Sequence, residues 1–285
     1  MTLKLQSFKR KMFHSLEQGE GSQWFFADKQ KENGVVLLLH GLNQRPSSWN
    51  DLISELTASG LHVYRLSFKG HRGLPIADMQ DANAEIWLKE FIEGYNQIAT
   101  RFPILPRYLI AYSLGGLVAE VGQLEAGKSF FDRQFLLAPA LRIRYYTRLV
   151  LPLTKIFPLL PSNMAATHYV ANKKGTAASA YQALFHLEKR LRSFHDPHVL
   201  NIPTRIIIRP HDELVSYRGT VRWVAQKSLD KWKVLPFLTK SLKPSGNRIH
   251  HLIIDQKAVG VQDWQWMTRM ISGFLKGKRQ HKLLH

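Results

Sequence analysis

The chain of 285 residues contains no cysteine. That absence excludes disulfides, thiolate catalysis and Cys-ligated zinc. Acidic residues are also scarce. The 21 Asp and Glu face 40 Lys and Arg, which leaves a formal net charge of +19. Such a balance favours contact with an anionic partner, either nucleic acid, an acidic lipid surface or an anionic substrate, or else serves as a basic solubilising surface. Basic residues crowd Lys9-Arg10-Lys11 and Lys276 to Lys282, but they are also spread through the middle. No stacking motif, helix–turn–helix or zinc-finger pattern accompanies them, so specific nucleic-acid binding is not expected.

Long apolar runs are missing as well. No stretch reaches the ~18 uninterrupted apolar residues of a membrane span. Met1 to Leu16 is basic and mixed, without the apolar core of a signal peptide. The expectation is a cytoplasmic protein, with peripheral contact to an anionic inner membrane face left open. A hydrophobic content of 45% against 21% charged residues is enough for a large core and argues against disorder.

What is present is an alternation. Val35-Val36-Leu37-Leu38-Leu39 reads as a strand buried on both faces. A helix follows through Trp49, Leu52, Ile53 and Leu56, with Ser47 or Ser48 as its cap. Leu61 to Phe68 reads as a strand and Asn83 to Phe102 as an amphipathic helix. Tyr108-Leu109-Ile110 is a strand, followed by a sharp turn and a helix from Gly116 to about Ala126. Phe135-Leu136-Leu137 is another strand. The pattern resumes with strands at Thr204 to Ile208 and Trp232 to Pro236, and with helices at Tyr217 to Leu229 and Val261 to Leu275. This alternation predicts a mostly parallel sheet with helices on both faces.

Between these blocks the chain from Leu141 to about Leu200 reads as helical, interrupted by Pro152, Pro158 and Pro161. The expected division is therefore 1–140 as the first part of the core, 141–200 as a helical lid or cap insert, and 201–285 as the second part of the core. The insert has an apolar face that includes Tyr145, Tyr146, Leu149, Val150 and Leu153, interspersed with Arg142, Arg144, Arg148 and Lys155. Tyr112, Tyr145, Tyr146 and Leu149 are the candidate lining of a pocket for an apolar substrate. Packing on the core and contact with a lipid surface are the alternatives for this stripe.

The segment Tyr108-Leu-Ile-Ala-Tyr-Ser-Leu-Gly-Gly-Leu-Val carries the chemistry. It reads strand, small-x-Ser-x-Gly, helix, with Ser113 at the turn. A serine there projects its Oγ above the sheet, and the close approach of strand and helix demands small flanking residues. Gly115 and Gly116 meet that demand. Ala111 stands where glycine is commonest.

On these residues the chain resembles the α/β-hydrolase family, from about Trp24 to Leu275, and within it the carboxylesterase, monoacylglycerol lipase and lysophospholipase branch. The resemblance implies the α/β-hydrolase fold and a Ser-His-Asp triad that needs no metal or organic cofactor. His40-Gly41-Leu42-Asn43 matches the loop that follows the first buried strand. The implied oxyanion donors are the backbone N–H groups of Leu42 and Leu114, with Asn43 as a possible side-chain donor and His40 as a brace. The segment Phe68-Lys-Gly-His-Arg-Gly-Leu-Pro resembles the family's Gly-His-Gly loop, with Arg72 in place of the second glycine.

A serine hydroxyl needs a base, and the base needs an orienting carboxylate. In this fold the chain order is Ser, acid, His. The implied acid is Asp212, after the strand ending at Ile208, with Glu213 as its rival. Two adjacent histidines compete as base. In the lysophospholipase-like branch an acidic residue commonly follows the catalytic histidine by five positions. Asp255 gives His250 that spacing, so His250 is expected and His251 is the alternative. His195, Asp196 and His198 lack the partners of a zinc site. The expectation is an ester hydrolase acting on monoacylglycerol or lysophospholipid. Thioesterase, amidase or lactonase chemistry and a non-catalytic binding protein are the alternatives.

Overall fold

In a computed structural model, residues 19–28, 32–161, 168–238 and 249–277 are described. Met1 to Leu16, Lys9-Arg10-Lys11, Arg248 and the basic run beyond Gly277 lie outside them. The elements begin with β1 (Gln23–Phe25), β2 (Gly34–Leu39), α1 (Asn50–Ala58), β3 (Leu61–Leu66), α2 (Ile76–Gln80), α3 (Ala84–Arg101), β4 (Arg107–Tyr112), α4 (Leu114–Glu125) and β5 (Arg133–Leu137). They continue with α5 (Val150–Leu153), β6 (Leu159–Leu160), β7 (Thr176–Ala177), α6 (Ala178–Ser193), β8 (Thr204–Ile208), α7 (Tyr217–Gln226), β9 (Trp232–Pro236), α8 (Gln256–Val259) and α9 (Val261–Lys276).

All six residues of β2 are buried, because helices cover both faces of the sheet. Side chains alternate across a strand. Val35, Leu37 and Leu39 therefore join one core with Trp87 and Phe91 of α3 and Leu117 and Val121 of α4. Val36 and Leu38 join the other, with Leu52 and Leu56 of α1 and Met267 and Ile271 of α9. Truncating any of these leucines would cost roughly 2–5 kcal/mol.

Seven strands lie in the order β1-β3-β2-β4-β5-β8-β9. Only β1, an edge strand too short for its pattern to show in the sequence, is antiparallel. The chain leaves β2 for β3 on one side, and β4 then lands on the other side of β2. The strand order reverses there, so a crevice opens at the carboxyl ends of β2 and β4, where open α/β sheets hold their ligands. Leu39 pairs with Ala111, which sets the His40–Asn43 loop beside the turn at Ser113.

Two expectations change. The helix at Trp49 has no serine cap. A 3₁₀ turn, Pro46–Trp49, leads into α1, and the Ser48 hydroxyl donates instead to the Arg45 carbonyl. The 141–200 stretch is less helical than its pattern. It holds a 3₁₀ turn at Tyr145–Leu149, the single turn α5, the β6–β7 pair and one long helix, α6. Its apolar stripe divides. Tyr146, Leu149, Val150 and Leu153 line a cavity, Leu160 is buried, and Ile156 and Phe157 point outward. No helix among the described residues is long and apolar enough to cross a membrane.

One core residue is costly. Glu120 of α4 is fully buried, and neither carboxyl oxygen has a hydrogen-bond partner of good geometry among the described residues. Burial pushes its pKa up to about 8, against a smaller opposing effect of the nearby Gln134 side chain. The unfolded chain ionises Glu120 first as pH rises, so this group lowers stability progressively between the ordinary carboxylate range and about pH 8. Urea denaturation should therefore find that Glu120→Gln stabilises the protein by several kcal/mol more at about pH 9 than at about pH 5. A pH-independent difference would contradict this.

Candidate active site

Ser113 follows β4 in a conformation that side chains rarely adopt, with φ of 47° and ψ of −113°. Such geometry costs about 1–3 kcal/mol and persists only when its surroundings impose it. Here the Ser113 N–H donates to the Leu137 carbonyl at 3.0 Å, and the Ser113 carbonyl accepts from Ala140 N–H at 2.9 Å. The helix α4 then starts directly against β2. A Cβ at Gly115 would stand 2.7 Å from the His40 carbonyl oxygen, and one at Gly116 2.7 Å from Pro139 Cβ. Both are far closer than carbon contacts allow, which is why the sequence places glycine at both positions.

Asp212 sits after β8 with its side chain fully buried. Its Oδ1 accepts from the N–H groups of Leu214 and Val215, both at 2.8 Å. Its Oδ2 lies 2.8 Å from His251 Nδ1, and His251 Nε2 lies 2.9 Å from Ser113 Oγ. Burial by itself would raise the Asp212 carboxyl. The charge and hydrogen bond of His251 and the two backbone donors outweigh it and hold the pKa below its ordinary value. Asp212 is thus a fixed anion that keeps a proton on Nδ1 and leaves Nε2 free to accept from the serine.

The partner of Ser113 is His251, and this corrects the expectation of His250. The imidazole of His250 is directed toward His211, with ring centroids 6.5 Å apart, and the residue is exposed. The five-residue spacing to Asp255 has a different cause. Asp255 caps α8 by accepting from Ala258 N–H at 2.8 Å and also accepts from the Tyr169 hydroxyl at 2.8 Å. Among the described residues Glu213 makes no hydrogen bond or ion pair with the His251 ring. Its carboxylate accepts the backbone N–H groups of His250 at 3.0 Å and of His251 at 3.3 Å, clamping the histidine turn. Tyr112 adds a second clamp. Its hydroxyl donates to the His251 carbonyl at 3.2 Å, and burial, then Asp212 and Glu213, push its pKa well up, so it stays protonated.

Leu42 lines the same cavity as Ser113, Leu114 follows the serine at the start of α4, and no described residue accepts from the N–H of either. The neighbouring donors are used. Gly41 N–H bonds Gln44 Oε1 at 2.6 Å, and Asn43 N–H bonds His71 Nε2 at 2.8 Å. The Asn43 side chain is not aimed at an oxyanion. It accepts from Asn172 N–H at 2.8 Å and donates to the carbonyls of Asn172 and Gly175. His40 braces the loop, with Nδ1 on the Gly41 carbonyl and Nε2 accepting from Phe68 N–H at 3.0 Å. Burial, then the neighbouring His71, keeps His40 neutral by lowering its pKa well below the usual value. Burial likewise lowers His71 to about 4. His71 thus holds the loop, a role whose signal in the sequence is the Gly-His pair of residues 70 and 71.

In front of Ser113 lies a mostly apolar cavity of about 540 Å³. It is lined by Leu42, Tyr112 and His251 from the core side and by Tyr146, Leu149, Val150, Leu153, Leu184 and Phe185 from the inserted segment. Tyr145 does not line it. At 84% exposure it faces outward, which corrects that expectation. Among the described residues no cluster of three or more His, Asp or Glu can hold a metal ion. His198 and Asp196 pair with each other on the surface.

Comparison with known proteins adds to this geometry. The model of the family described as serine aminopeptidase S33 matches residues 30–226. A monoacylglycerol lipase of Mycolicibacterium smegmatis is 32% identical over 89 residues, covering 29% of this chain and 30% of that protein's length. A metagenome-derived lipolytic enzyme superposes with a TM-score of 0.71 at 16% identity, over 92% of this chain and 99% of its own. A monoacylglycerol lipase of Paleococcus ferrophilus gives 0.64 at 17% identity, over 90% and 97%. A soluble variant of monoglyceride lipase from Saccharomyces cerevisiae gives 0.71 at 11% identity, over 89% and 90%. At such identities the structural likeness speaks for the α/β-hydrolase fold, as the sequence led us to expect.

Proposed function

Because the chain belongs to the α/β-hydrolase family described as serine aminopeptidase S33, we propose that it is a serine hydrolase that cleaves carboxylic esters of monoacylglycerol or lysophospholipid type. The observation that carries this reading is the unbroken chain from Ser113 Oγ through His251 to Asp212, with contacts of 2.9 and 2.8 Å.

His251 takes the Ser113 proton on Nε2 as Oγ attacks the ester carbonyl, and Asp212 stabilises the imidazolium that forms. The Leu42 and Leu114 N–H groups receive the oxyanion. Two fixed donors aimed at the developing charge lower the barrier by several kcal/mol. His251 then gives its proton to the departing alcohol. In the second half it draws a proton from water, which attacks the acyl-enzyme and releases the carboxylic acid. No step requires a cofactor.

The similarity to monoacylglycerol lipases and the apolar cavity over the serine support an acyl-chain substrate. The segment 141–200 supplies one wall of that cavity, which supports its role as a lid. A series of p-nitrophenyl esters tests both points. We expect kcat/KM to rise at least about tenfold from acetate to octanoate, since each methylene buried in an apolar pocket contributes up to about 1–3 kcal/mol. Failure to hydrolyse any ester would defeat the esterase reading, and a preference for acetate would defeat the acyl pocket.

A further inference from the structure

Beside the acyl cavity lies a second pocket, of about 340 Å³, whose chemistry is opposite. One wall is the face of α7 that carries Gly219, Arg222 and Gln226. The other is the extended segment from Arg142 to Arg144, with Arg192 at the end of α6 closing the side. The walls are fixed by backbone pairing. Ser216 N–H donates to the Arg142 carbonyl at 2.8 Å, Arg144 N–H donates to the Leu214 carbonyl at 2.9 Å, and Ile143 bridges Val215.

The positive charge here is poorly compensated. Arg142 is half-buried and shares its surroundings with Arg192, Arg148 and Arg222, against the single carboxylate of Glu188. Glu188 is already taken by both Arg148 and Arg192. Neither Arg142 nor Arg222 forms an ion pair among the described residues. Arg144 is also committed, with Nε donating to the Asp212 carbonyl at 2.6 Å. Burial, then the repulsion of Arg192, lowers the Arg142 pKa. Like charges gathered around a cleft store repulsion that an anion relieves, and the guanidinium fork matches phosphate oxygens in pairs. Ile143 and Tyr146 line both this pocket and the acyl cavity, so one wall separates them.

We propose that this pocket binds a phosphate group, held by the guanidiniums of Arg142, Arg192 and Arg222. The phosphate is either the headgroup of an acyl substrate, whose chain occupies the adjoining cavity, or free phosphate. Phosphate binding itself does not depend on the esterase reading; the headgroup assignment rests on it.

Titration calorimetry with inorganic phosphate, at matched ionic strength, tests the site on the whole chain. We expect saturable one-site binding that weakens at least tenfold in the Arg142→Gln/Arg222→Gln double variant. No saturable binding by the unmodified protein, or equal binding by the variant, overturns the proposal. If the double variant does not fold, Arg222→Gln alone serves, because Arg222 is on the exposed face of α7. Hydrolysis of hexanoylglycerol and of its glycerophosphate counterpart identifies the source. A tenfold loss in kcat/KM for the phosphorylated ester, with the neutral ester within twofold, assigns the headgroup. Phosphate binding lost with both esters unaffected assigns free phosphate. If neither ester is cleaved by the unmodified protein, the esterase reading fails while the calorimetric result stands.

Discussion

His251→Ala should lower kcat for ester hydrolysis by on the order of 10⁵-fold or more, as should Ser113→Ala, because the two act as one proton-transfer unit. His250→Ala should stay within about threefold of the unmodified protein. The difference follows from geometry. The His251 imidazole bridges Ser113 Oγ at 2.9 Å and Asp212 Oδ2 at 2.8 Å, whereas the His250 ring touches neither. The His250 N–H does bond Glu213, but alanine retains that group. Combining Ser113→Ala with His251→Ala should add little to either alone, since the second loss removes a function already disabled. Steady-state kinetics on one p-nitrophenyl ester, with circular dichroism to confirm folding, decides the matter. A large loss in His250→Ala with activity retained in His251→Ala would reverse the assignment.

Asp212→Asn should reduce kcat by about 10⁴-fold, while Glu213→Gln should cost no more than about tenfold. An asparagine at 212 can still accept from the Leu214 and Val215 N–H groups, so the loop keeps its shape. Its NH₂ can, however, donate to His251 Nδ1, and the imidazole proton then moves to Nε2. A protonated Nε2 cannot accept from Ser113 Oγ, and an uncharged neighbour no longer stabilises the imidazolium. Glu213 acts on the main chain instead, and a glutamine there keeps one acceptor for the two N–H groups it clamps. The pair of variants separates two neighbouring carboxylates by function. A larger loss in Glu213→Gln than in Asp212→Asn would mean that the orienting carboxylate has been misassigned.

Much of this protein could be read before its fold was known. The apolar run at Val35 to Leu39 has the length and composition of a doubly covered strand, and β8 and β9 have the bounds that their β-branched and aromatic residues suggest. Ser113, Gly115 and Gly116 announce the elbow, because a turn this tight excludes side chains where the strand and helix backbones meet. These are local constraints, and local constraints leave a pattern in consecutive residues. Asp212 was legible through the resemblance of its segment to the family's acid loop after a sheet strand, a position that its neighbour Glu213 shares.

The choice between His250 and His251 had no such local signature. Adjacent residues in a turn point in different directions, and which imidazole enters the cleft depends on what fixes the turn. Here it is fixed by Glu213 and the Tyr112 hydroxyl, groups more than thirty positions away in the chain. The spacing to Asp255 misled because a helix cap also places an acidic residue there. The same holds for the arginines. Arg142, Arg192 and Arg222 are fifty and thirty residues apart in succession, and only the packing of α6 and α7 against the segment after β5 gathers them into one pocket. The sequence alone determined which backbone conformations were possible and which serine stands at the strand-to-helix elbow. The tertiary structure decided which distant charges and rings face one another, because electrostatic and hydrogen-bond partners are chosen by proximity in space, and proximity between remote segments is set by the closed core.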